Sequence, residues 1–211
     1  MTDALVTAEK LVQAGAVRLR PHEPFTWASG WKSPIYCDNR RILSQPYIRD
    51  FIKSELCNVV FDKYPDAELI AGVSTAGIAW GALVADQLKL PFVYVRPKPK
   101  EHGLGNQIEG SFEAGQKTVV LEDLVSTGKS SLQVVDALRR NGLEVSGMLA
   151  IFSYQFDQAA TAFEQAGVHL HALTNYPSLL TLSSRKGLIQ PEEEEVLLKW
   201  RNDPANWTGL S

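Results

Sequence analysis

From about residue 69 onward, short apolar runs alternate with segments whose apolar residues recur every three or four positions. Apolar runs of this length are typical of buried strands, and the longer spacing is typical of amphipathic helices. The predicted strands cover residues 69–73, 92–95, 118–121, 145–152 and 170–173, and the predicted helices cover 77–89, 131–142 and 155–166. Because such alternation favours parallel pairing, we predict an α/β fold with a mainly parallel twisted sheet flanked by helices.

The chain before this region contains shorter predicted elements. They are a helix at 3–15, strands at 17–20 and 34–37 around a turn at 28–31, and a helix at 46–64. Near the other end, Pro191 and the four glutamates that follow it are typical of a helix start, where negative charge meets the positive end of the helix dipole. We expect Trp200 and Trp207 to pack in the core.

Composition narrows the classes of function. With 211 residues, 45% of them hydrophobic, the chain suits one domain with an ample core. A net charge of −3 argues against general nucleic-acid binding, which needs clustered positive charge. The two cysteines, Cys37 and Cys57, lack metal-site spacing, and the sequence contains neither a signal peptide nor a membrane span of roughly 20 apolar residues. We expect a cytoplasmic protein with no nucleic-acid or membrane partner.

Residues 119–130 carry the candidate chemistry. An apolar run ends in two adjacent carboxylates, Glu122 and Asp123, and a short loop of small and hydroxyl residues leads into a helix. Carboxylates can accept hydrogen bonds from ribose hydroxyls, and loop amides with a helix N-terminus can hold a phosphate. Ligands of parallel sheets bind at the carboxyl ends of strands, so we expect residues 73–77 and this segment to line one crevice. The pattern predicts a sugar-phosphate site.

Two alternatives compete with this interpretation. The phosphate loop of nucleoside-triphosphate enzymes requires Gly-x-x-x-x-Gly-Lys-Ser/Thr, and Gly128-Lys129-Ser130 fits only its end. The position five before Gly128 is Asp123, whose charge would repel a triphosphate, so we reject this alternative. A buried strand with a polar turn explains the apolar run but not the paired carboxylates, and it ranks second.

A basic segment follows the strand predicted at 92–95. Four cationic or titratable side chains, Arg96, Lys98, Lys100 and His102, lie within seven residues of an otherwise acidic chain. Prolines stiffen the start of this segment, and glycines free its remainder. The composition favours a mobile basic flap that closes over an anionic ligand, with a solvated charged loop as the alternative.

Three segments resemble the orotate phosphoribosyltransferases, in the form found in Gram-positive-type bacteria. Residues 122–130 are similar to the pyrophosphate-sugar motif of type I phosphoribosyltransferases, residues 94–110 to the orotate family's catalytic flap, and residues 25–40 to its N-terminal hood. The flap and the hood separate this family from purine, uracil and regulatory relatives. The resemblance implies a type I phosphoribosyltransferase fold in a single domain, residues 1–211, with a small hood contributed mainly by 1–45 and a flexible catalytic flap at about 97–110.

The resemblance also implies a reaction and its site. The 5-phosphoribosyl group of 5-phospho-α-D-ribose 1-diphosphate (PRPP) would pass to orotate, giving orotidine 5′-phosphate and pyrophosphate in de novo pyrimidine (UMP) biosynthesis. The implied catalytic residues are Lys100, Asp123 and Glu122, the implied orotate contact is Ser126, and the implied PRPP-binding residues are Arg96, Lys100, His102, Glu122, Asp123, Leu124, Val125, Ser126, Thr127, Gly128, Lys129 and Ser130.

A cofactor and a partner are implied as well. Mg²⁺ would be held mainly by PRPP and pyrophosphate oxygens and water, with no direct protein ligand named. The enzyme would be a homodimer in which the flap of one subunit reaches the site of its partner. The alternatives are a type I phosphoribosyltransferase that acts on uracil or a purine, and a regulator that senses PRPP.

Some positions depart from the family pattern. Residue 129 is often glycine in the motif and is Lys129 here, which leaves its role open. Ala28 occupies a position that is lysine in the enteric-type enzymes, and Thr75-Ala76 lacks a Tyr-Lys pair found there. Tyr154 falls near an orotate-contacting arginine of that branch, so these contacts are not transferred. Lys32 and Arg40 are weak candidates for binding the orotate carboxylate.

Overall fold

A computed structural model describes residues 3–27, 29–96 and 107–208 of the chain. The N-terminal part contains α1 (Ala4–Gln13), β1 (Val17–Leu19), β2 (Phe25–Thr26), β3 (Lys32–Ser33), β4 (Ile35–Cys37), a 3-10 helix (Asn39–Ser44) and α2 (Pro46–Lys63). The remainder contains β5 (Leu69–Val73), α3 (Ala76–Leu88), β6 (Phe92–Val95), β7 (Ile108–Glu109), β8 (Lys117–Val125), α4 (Lys129–Arg140), β9 (Glu144–Ser153), α5 (Asp157–Gln165), β10 (Leu170–Asn175), α6 (Tyr176–Arg185) and α7 (Pro191–Asn202).

Within the described residues, the central sheet has six strands in the order β10-β9-β8-β5-β6-β7. Neighbouring strands from β10 to β6 are parallel, and the edge strand β7 runs antiparallel to its neighbour β6. One face of the sheet packs against α1, α2, α3, α6 and α7, and the other packs against α4 and α5. The predicted α/β fold with a mainly parallel sheet and helices on both faces is confirmed.

The predicted end of one central strand is wrong. We predicted a strand at 118–121, but β8 continues to Val125, so Glu122 and Asp123 lie inside the strand and not in a loop. The extra length is paired, because β9 also extends past its predicted end and aligns Leu124 with Phe152 and Val125 with Ser153. The following helix begins at Lys129, two residues before its predicted start.

Five elements were not predicted: β2, β3, the 3-10 helix, β7 and α6. Strand β7, Ile108–Glu109, lies within the predicted flap segment and pairs with Tyr94 and Val95 of β6. Helix α6, Tyr176–Arg185, directly follows β10 and has the Asn175 side chain as its N-cap, accepting from the Ser178 N–H at 2.9 Å. By contrast, the helix predicted from the glutamate run is confirmed as α7, with a capping box formed by Gln190 and Glu193.

Two small antiparallel pairs, β1 with β4 and β2 with β3, lie within residues 1–45, the segment predicted to contribute the N-terminal hood. Aromatic side chains hold the hood against the sheet: Trp27 packs 5.1 Å from Tyr154 and 5.6 Å from Trp200, measured between ring centroids. The indole of Trp200 is fully buried and donates to the Lys32 carbonyl oxygen at 3.0 Å. The expected packing roles of Trp200 and Trp207 are confirmed, since Trp207 packs against the same core.

Helix α3 approaches the sheet closely next to the candidate site. A Cβ atom at Gly77 would lie 2.4 Å from the Leu121 carbonyl oxygen, closer than any side chain can approach. Glycine at this position therefore lets the start of α3 lie directly on β8, one residue before Glu122. Across the described residues, no helix combines the length and apolar character needed to cross a membrane.

Candidate active site

Three chain segments meet at the carboxyl edge of the sheet around β8. The first is the end of β8 with the loop 126–128 and the start of α4. The second is the connection from β5 to α3, where the peptide bond between Ser74 and Thr75 is cis. The third is the end of β6, tied to the second because the Ser74 N–H and hydroxyl donate to the Val95 carbonyl oxygen at 3.0 and 2.8 Å. The expected crevice between 73–77 and 122–130 therefore has its walls on neighbouring parallel strands.

The carboxyl group of Glu122 is buried and accepts two hydrogen bonds. Its side chain is 6% exposed. Oε1 accepts the main-chain N–H of Asp123 at 3.0 Å, and Oε2 accepts the hydroxyl of Ser131 at 3.2 Å. Burial raises the pKa of Glu122 well above its usual range, and the neighbouring charge of Asp123 adds to the effect. In the ligand-free protein, Glu122 is thus the readily protonated member of the pair.

Asp123 is less buried and faces charges from the hood. Burial raises its pKa, while the hydrogen bond with Glu122 and the positive charge of Arg40 act in the opposite direction. Desolvation therefore dominates at both carboxyl groups when no ligand is present. Hydroxyl groups or a cation from a ligand would favour the ionised carboxylates. The pair is therefore suited to a small-molecule ligand that carries several hydroxyl groups and a bound cation.

The loop after β8 leads into a helix N-terminus, which can bind an anion. Gly128 has a φ of +79° and precedes α4, and the Leu132 N–H donates to its carbonyl oxygen at 2.9 Å. A Cβ atom at Gly128 would lie 2.7 Å from Cε2 of Phe163 on α5, so only glycine fits this turn. The first N–H groups of a helix have no partner within the helix, and together with the helix dipole they favour a phosphate.

The structure brings most of the predicted sugar-phosphate residues together but divides them between elements. Leu124 and Val125 belong to β8, and the Val125 side chain is buried in the core. Ser126, Thr127 and Gly128 form the loop, and Lys129 and Ser130 form the exposed first turn of α4. The loop itself is therefore three residues long, 126–128, and the rest of the segment 124–130 belongs to β8 and α4.

The predicted pyrophosphate-binding residues are only partly described. Arg96 directly follows β6, its N–H donates to the Gln107 carbonyl oxygen at 2.9 Å, and its guanidinium lies 3.5 Å from Glu109. Lys98, Lys100 and His102 fall outside the described residues. Arg96 thus stands at the end of a strand two positions from β8 in the sheet, on the edge that also carries the acidic pair.

The two weak candidates for binding the orotate carboxylate, Lys32 and Arg40, have different surroundings. The Lys32 ammonium donates to the Thr26 hydroxyl at 2.9 Å within the β2–β3 hairpin. Arg40 donates to Asp38 at 2.6 Å, and its positive charge acts to lower the pKa of Asp123. Tyr154, left out of the transferred contacts, is 2% exposed and stacks on Phe156 at 5.4 Å. Of the two cations, Arg40 is the one beside the acidic pair.

Sequence reasoning missed two residues of this site. Ser131 is buried and donates to Glu122, and its only sequence signal is a hydroxyl in the first turn of a helix. Asn39 donates to the main-chain oxygen of Asp123 at 2.8 Å from 84 residues away, and no local pattern could have indicated that contact.

The side chains at this site fit a magnesium ion whose coordination comes mostly from substrate oxygens and water. Within the described ranges, no group of three or more His, Cys, Asp or Glu side chains is arranged to hold a metal. The carboxylates of Glu122 and Asp123 are nevertheless oxygen donors of the kind Mg²⁺ prefers, and this ion commonly uses one or two carboxylates or water together with substrate phosphates.

Comparisons with known proteins agree with this geometry. Residues 46–165 match the phosphoribosyl transferase domain. The orotate phosphoribosyltransferase of Phocaeicola vulgatus is 54% identical over 200 residues, covering 95% of this chain and 94% of the relative. That of Streptococcus pneumoniae is 49% identical over 207 residues, covering 98% and 99%. The crystal structure of orotate phosphoribosyltransferase from Aeropyrum pernix has a TM-score of 0.72 at 30% identity and covers 86% of this chain and 99% of that one.

The sheet, the acidic pair and the matched domain define the class as a phosphoribosyltransferase enzyme of the α/β type. With about half of its residues identical over nearly the full length of both relatives, the chain belongs to the orotate phosphoribosyltransferase family.

Proposed function

We propose that this protein transfers the 5-phosphoribosyl group of PRPP to N1 of orotate, releasing pyrophosphate and forming orotidine 5′-phosphate for pyrimidine synthesis. The observation that carries the proposal is the adjacent carboxyl pair Glu122 and Asp123 at the end of β8, directly ahead of a glycine turn and a helix N-terminus. Family membership supports orotate as the acceptor.

The ribose 5-phosphate end of PRPP fits the loop and the first turn of α4. Backbone N–H groups from 126–131 would bind the phosphate, assisted by the positive end of the helix dipole. The side chains of Ser126, Thr127 and Ser130 add hydroxyl donors at the same place. The first turn of α4 carries no acidic residue that would repel the phosphate.

The acidic pair would bind the ribose hydroxyls and stabilise the developing positive charge. Breaking the bond at the anomeric carbon gives the ribose oxocarbenium character, as in other glycosyl transfers. Hydrogen bonds from the two hydroxyls favour the ionised carboxylates, so binding of PRPP lowers the raised pKa values of Glu122 and Asp123 and releases protons.

Positive charge is needed at the departing pyrophosphate. Arg96 stands at the end of β6, and family resemblance adds Lys100 and His102 from the flap. Bound Mg²⁺, held mainly by oxygens of PRPP and pyrophosphate and by water, would supply further positive charge there, and Glu122 and Asp123 would contact it directly or through water. Lys100 is our choice for the main charge stabiliser among the side chains.

A homodimer and a cytoplasmic location complete the proposal. Family resemblance implies that the flap of one subunit serves the site of its partner, so activity should fall when the protein is diluted below the dissociation constant of the dimer. Both cysteines are free thiols, which fits a reducing compartment. Sedimentation of the protein across a dilution series, run beside the activity assay, tests the dimer.

The loss of orotate absorbance on adding PRPP and Mg²⁺ tests the reaction directly. A base panel with orotate, uracil, adenine, guanine and hypoxanthine, at equal concentrations, tests the acceptor. We expect orotate to be the one base of the panel that is consumed. EDTA should abolish this turnover, and added Mg²⁺ should restore it. Faster consumption of uracil or a purine would show that this base, and not orotate, is the acceptor. An electrophoretic shift of RNA or DNA without turnover of any base would indicate a PRPP-sensing regulator.

A further inference from the structure

A hood residue reaches the ribose side of the site from outside the motif 122–130. Asn39 is fully buried at the start of the 3-10 helix, and its Nδ2 donates to the main-chain oxygen of Asp123 at 2.8 Å. Because 84 positions separate the two residues, this bond forms only when the hood lies on the sheet. It is a direct link between the hood and the end of β8.

The orientation of the Asn39 amide is fixed by a second hydrogen bond. The thiol of Cys37 donates to Oδ1 at 3.4 Å, which leaves Nδ2 facing Asp123. Burial raises the pKa of the Cys37 thiol well above its usual range, and the charges of Asp123 and Asp38 add to the effect. The thiol therefore keeps the proton that it donates.

The neighbours of Asn39 act on the same carboxyl group. Asp38 and Arg40 are joined by a hydrogen bond of 2.6 Å, and their charges act on Asp123 in opposite directions. Three consecutive hood residues therefore act on Asp123, two through charge and one through a hydrogen bond to its main chain.

We propose that Asn39 is a positioning residue of the ribose site, which holds the main chain of Asp123 and so sets the direction in which its carboxylate meets the ribose hydroxyls. The inference rests on the proposed phosphoribosyl transfer and adds to it a residue that the motif does not contain. Displacing a catalytic group by about 1 Å can cost roughly 10²-fold in rate, so a positioning bond of this kind has a measurable effect.

Asn39→Ala has a matched control in the same hood. The side-chain amide of Gln45 also donates to a main-chain oxygen, that of Ala14, at 2.8 Å, but it does not contact the acidic pair. We expect Asn39→Ala to lower kcat/KM for PRPP by about 10- to 100-fold, and Gln45→Ala to lower the melting temperature while leaving kcat/KM unchanged. Equal kcat/KM for Asn39→Ala and the wild type would overturn the inference.

A double-mutant cycle separates positioning from a general effect on the fold. If Asn39 acts through the Asp123 carboxylate, its removal has little further effect once that carboxylate is gone. We expect Asn39→Ala/Asp123→Ala to lie within about twofold of Asp123→Ala, because the effects of coupled residues do not add. A full additional loss in the double mutant would show that Asn39 acts independently of Asp123 and would overturn the inference.

Two measurements keep the outcome decisive. Circular dichroism melts establish that each variant folds, and if Asn39→Ala does not, Asn39→Leu, which keeps a similar side-chain size but has no donor, goes through the same cycle with the same deciding outcomes. Wild-type turnover of orotate is measured alongside. No wild-type turnover would overturn the proposed function, whereas wild-type turnover with a fully active, folded Asn39 variant would overturn only the role of Asn39.

Discussion

The side chain of Glu122 bonds to the main chain of the next residue on β8, where its Oε1 accepts the N–H of Asp123 at 3.0 Å. Adjacent side chains of a strand point to opposite faces, yet burial and the charge of Asp123 together raise the pKa of Glu122, so the two carboxyl groups ionise as a coupled pair. The pair is costly to ionise in the free protein because it is buried, and it becomes useful when a ligand supplies hydroxyl donors and positive charge. This relationship leads to the first two predictions.

Glu122→Gln should stabilise the ligand-free protein at neutral pH. The pKa of Glu122 is raised in the folded state above its unfolded value of about 4.3, so the folded state binds more protons between those two values and wild-type stability falls as pH rises through that window. Glutamine removes this penalty, which is about 1.4 kcal/mol for each pKa unit of the shift. Urea unfolding of both proteins from pH 4 to pH 8 measures it.

The stability gained by Glu122→Gln should be small near pH 4 and grow with pH, while its activity falls. Ser131→Ala provides a second arm, because loss of the hydroxyl that favours the ionised form raises the pKa further and extends the falling window to higher pH. A stability difference that does not change with pH would remove the raised pKa of Glu122 from the explanation.

Asp123→Asn should weaken catalysis far more than structure. The substitution keeps the size of the side chain but removes the charge beside the developing oxocarbenium ion, and loss of one preorganised electrostatic group costs roughly 10²–10³ in kcat in other enzymes. Steady-state kinetics with PRPP and a thermal melt are compared on the same preparation. A sharp fall in melting temperature with normal specific activity would make Asp123 a structural residue.

Gly128→Ala should damage the phosphate-binding turn through a steric contact as well as through backbone strain. Gly115 supplies the control, because its φ of +86° is similar but nothing lies within 4 Å of a Cβ there. We expect Gly115→Ala to cost about 1–2 kcal/mol for the left-handed backbone. Gly128→Ala should cost about 1–3 kcal/mol more, because the new methyl group meets Phe163.

Affinity for PRPP separates the two glycines further. Isothermal titration should show weakened binding by Gly128→Ala and unchanged binding by Gly115→Ala. Replacing the Phe163 ring with a smaller side chain, in Gly128→Ala/Phe163→Leu, should recover part of the stability lost in Gly128→Ala. Equal costs for the two alanine variants would show that the contact with Phe163 does not constrain the turn.

Lys100→Ala should lower kcat by roughly 10²–10³ while leaving the fold intact, because the flap lysine is proposed to stabilise the departing pyrophosphate. Lys199→Ala serves as the control, since Lys199 lies on α7 with a 70% exposed side chain paired to Glu195. Single-turnover kinetics of both variants measure the effect on chemistry. Wild-type turnover by Lys100→Ala would remove this lysine from the mechanism.

Local sequence signals account for much of the fold. Strands β5 and β6 have the predicted bounds, Leu69–Val73 and Phe92–Val95, because each is an apolar run with polar or turn-forming residues at its ends. The end of β8 was missed because Glu122 and Asp123 interrupt the apolar run, while the pairing that continues the strand comes from β9. Pairing between distant segments is not encoded in the local pattern.

The same distinction applies to the candidate site. Glu122, Asp123 and the loop 126–128 are adjacent in sequence, so their chemistry is visible in the order of residue types. Asn39 is not, because its contact with Asp123 depends on the docking of the hood through buried aromatic side chains such as Trp27 and Trp200. Burial, which raises the pKa of both carboxyl groups, is likewise a property of the packed sheet and helices.

A crystal structure with bound PRPP and Mg²⁺ tests the central claim most directly. We predict that carboxylate oxygens of Glu122 and Asp123 lie within hydrogen-bond distance, about 2.5–3.2 Å, of the ribose hydroxyls, with the 5′-phosphate at the loop 126–128 and the start of α4. A pentose bound away from residues 122–123, in a complex that is active in the crystal, would contradict it.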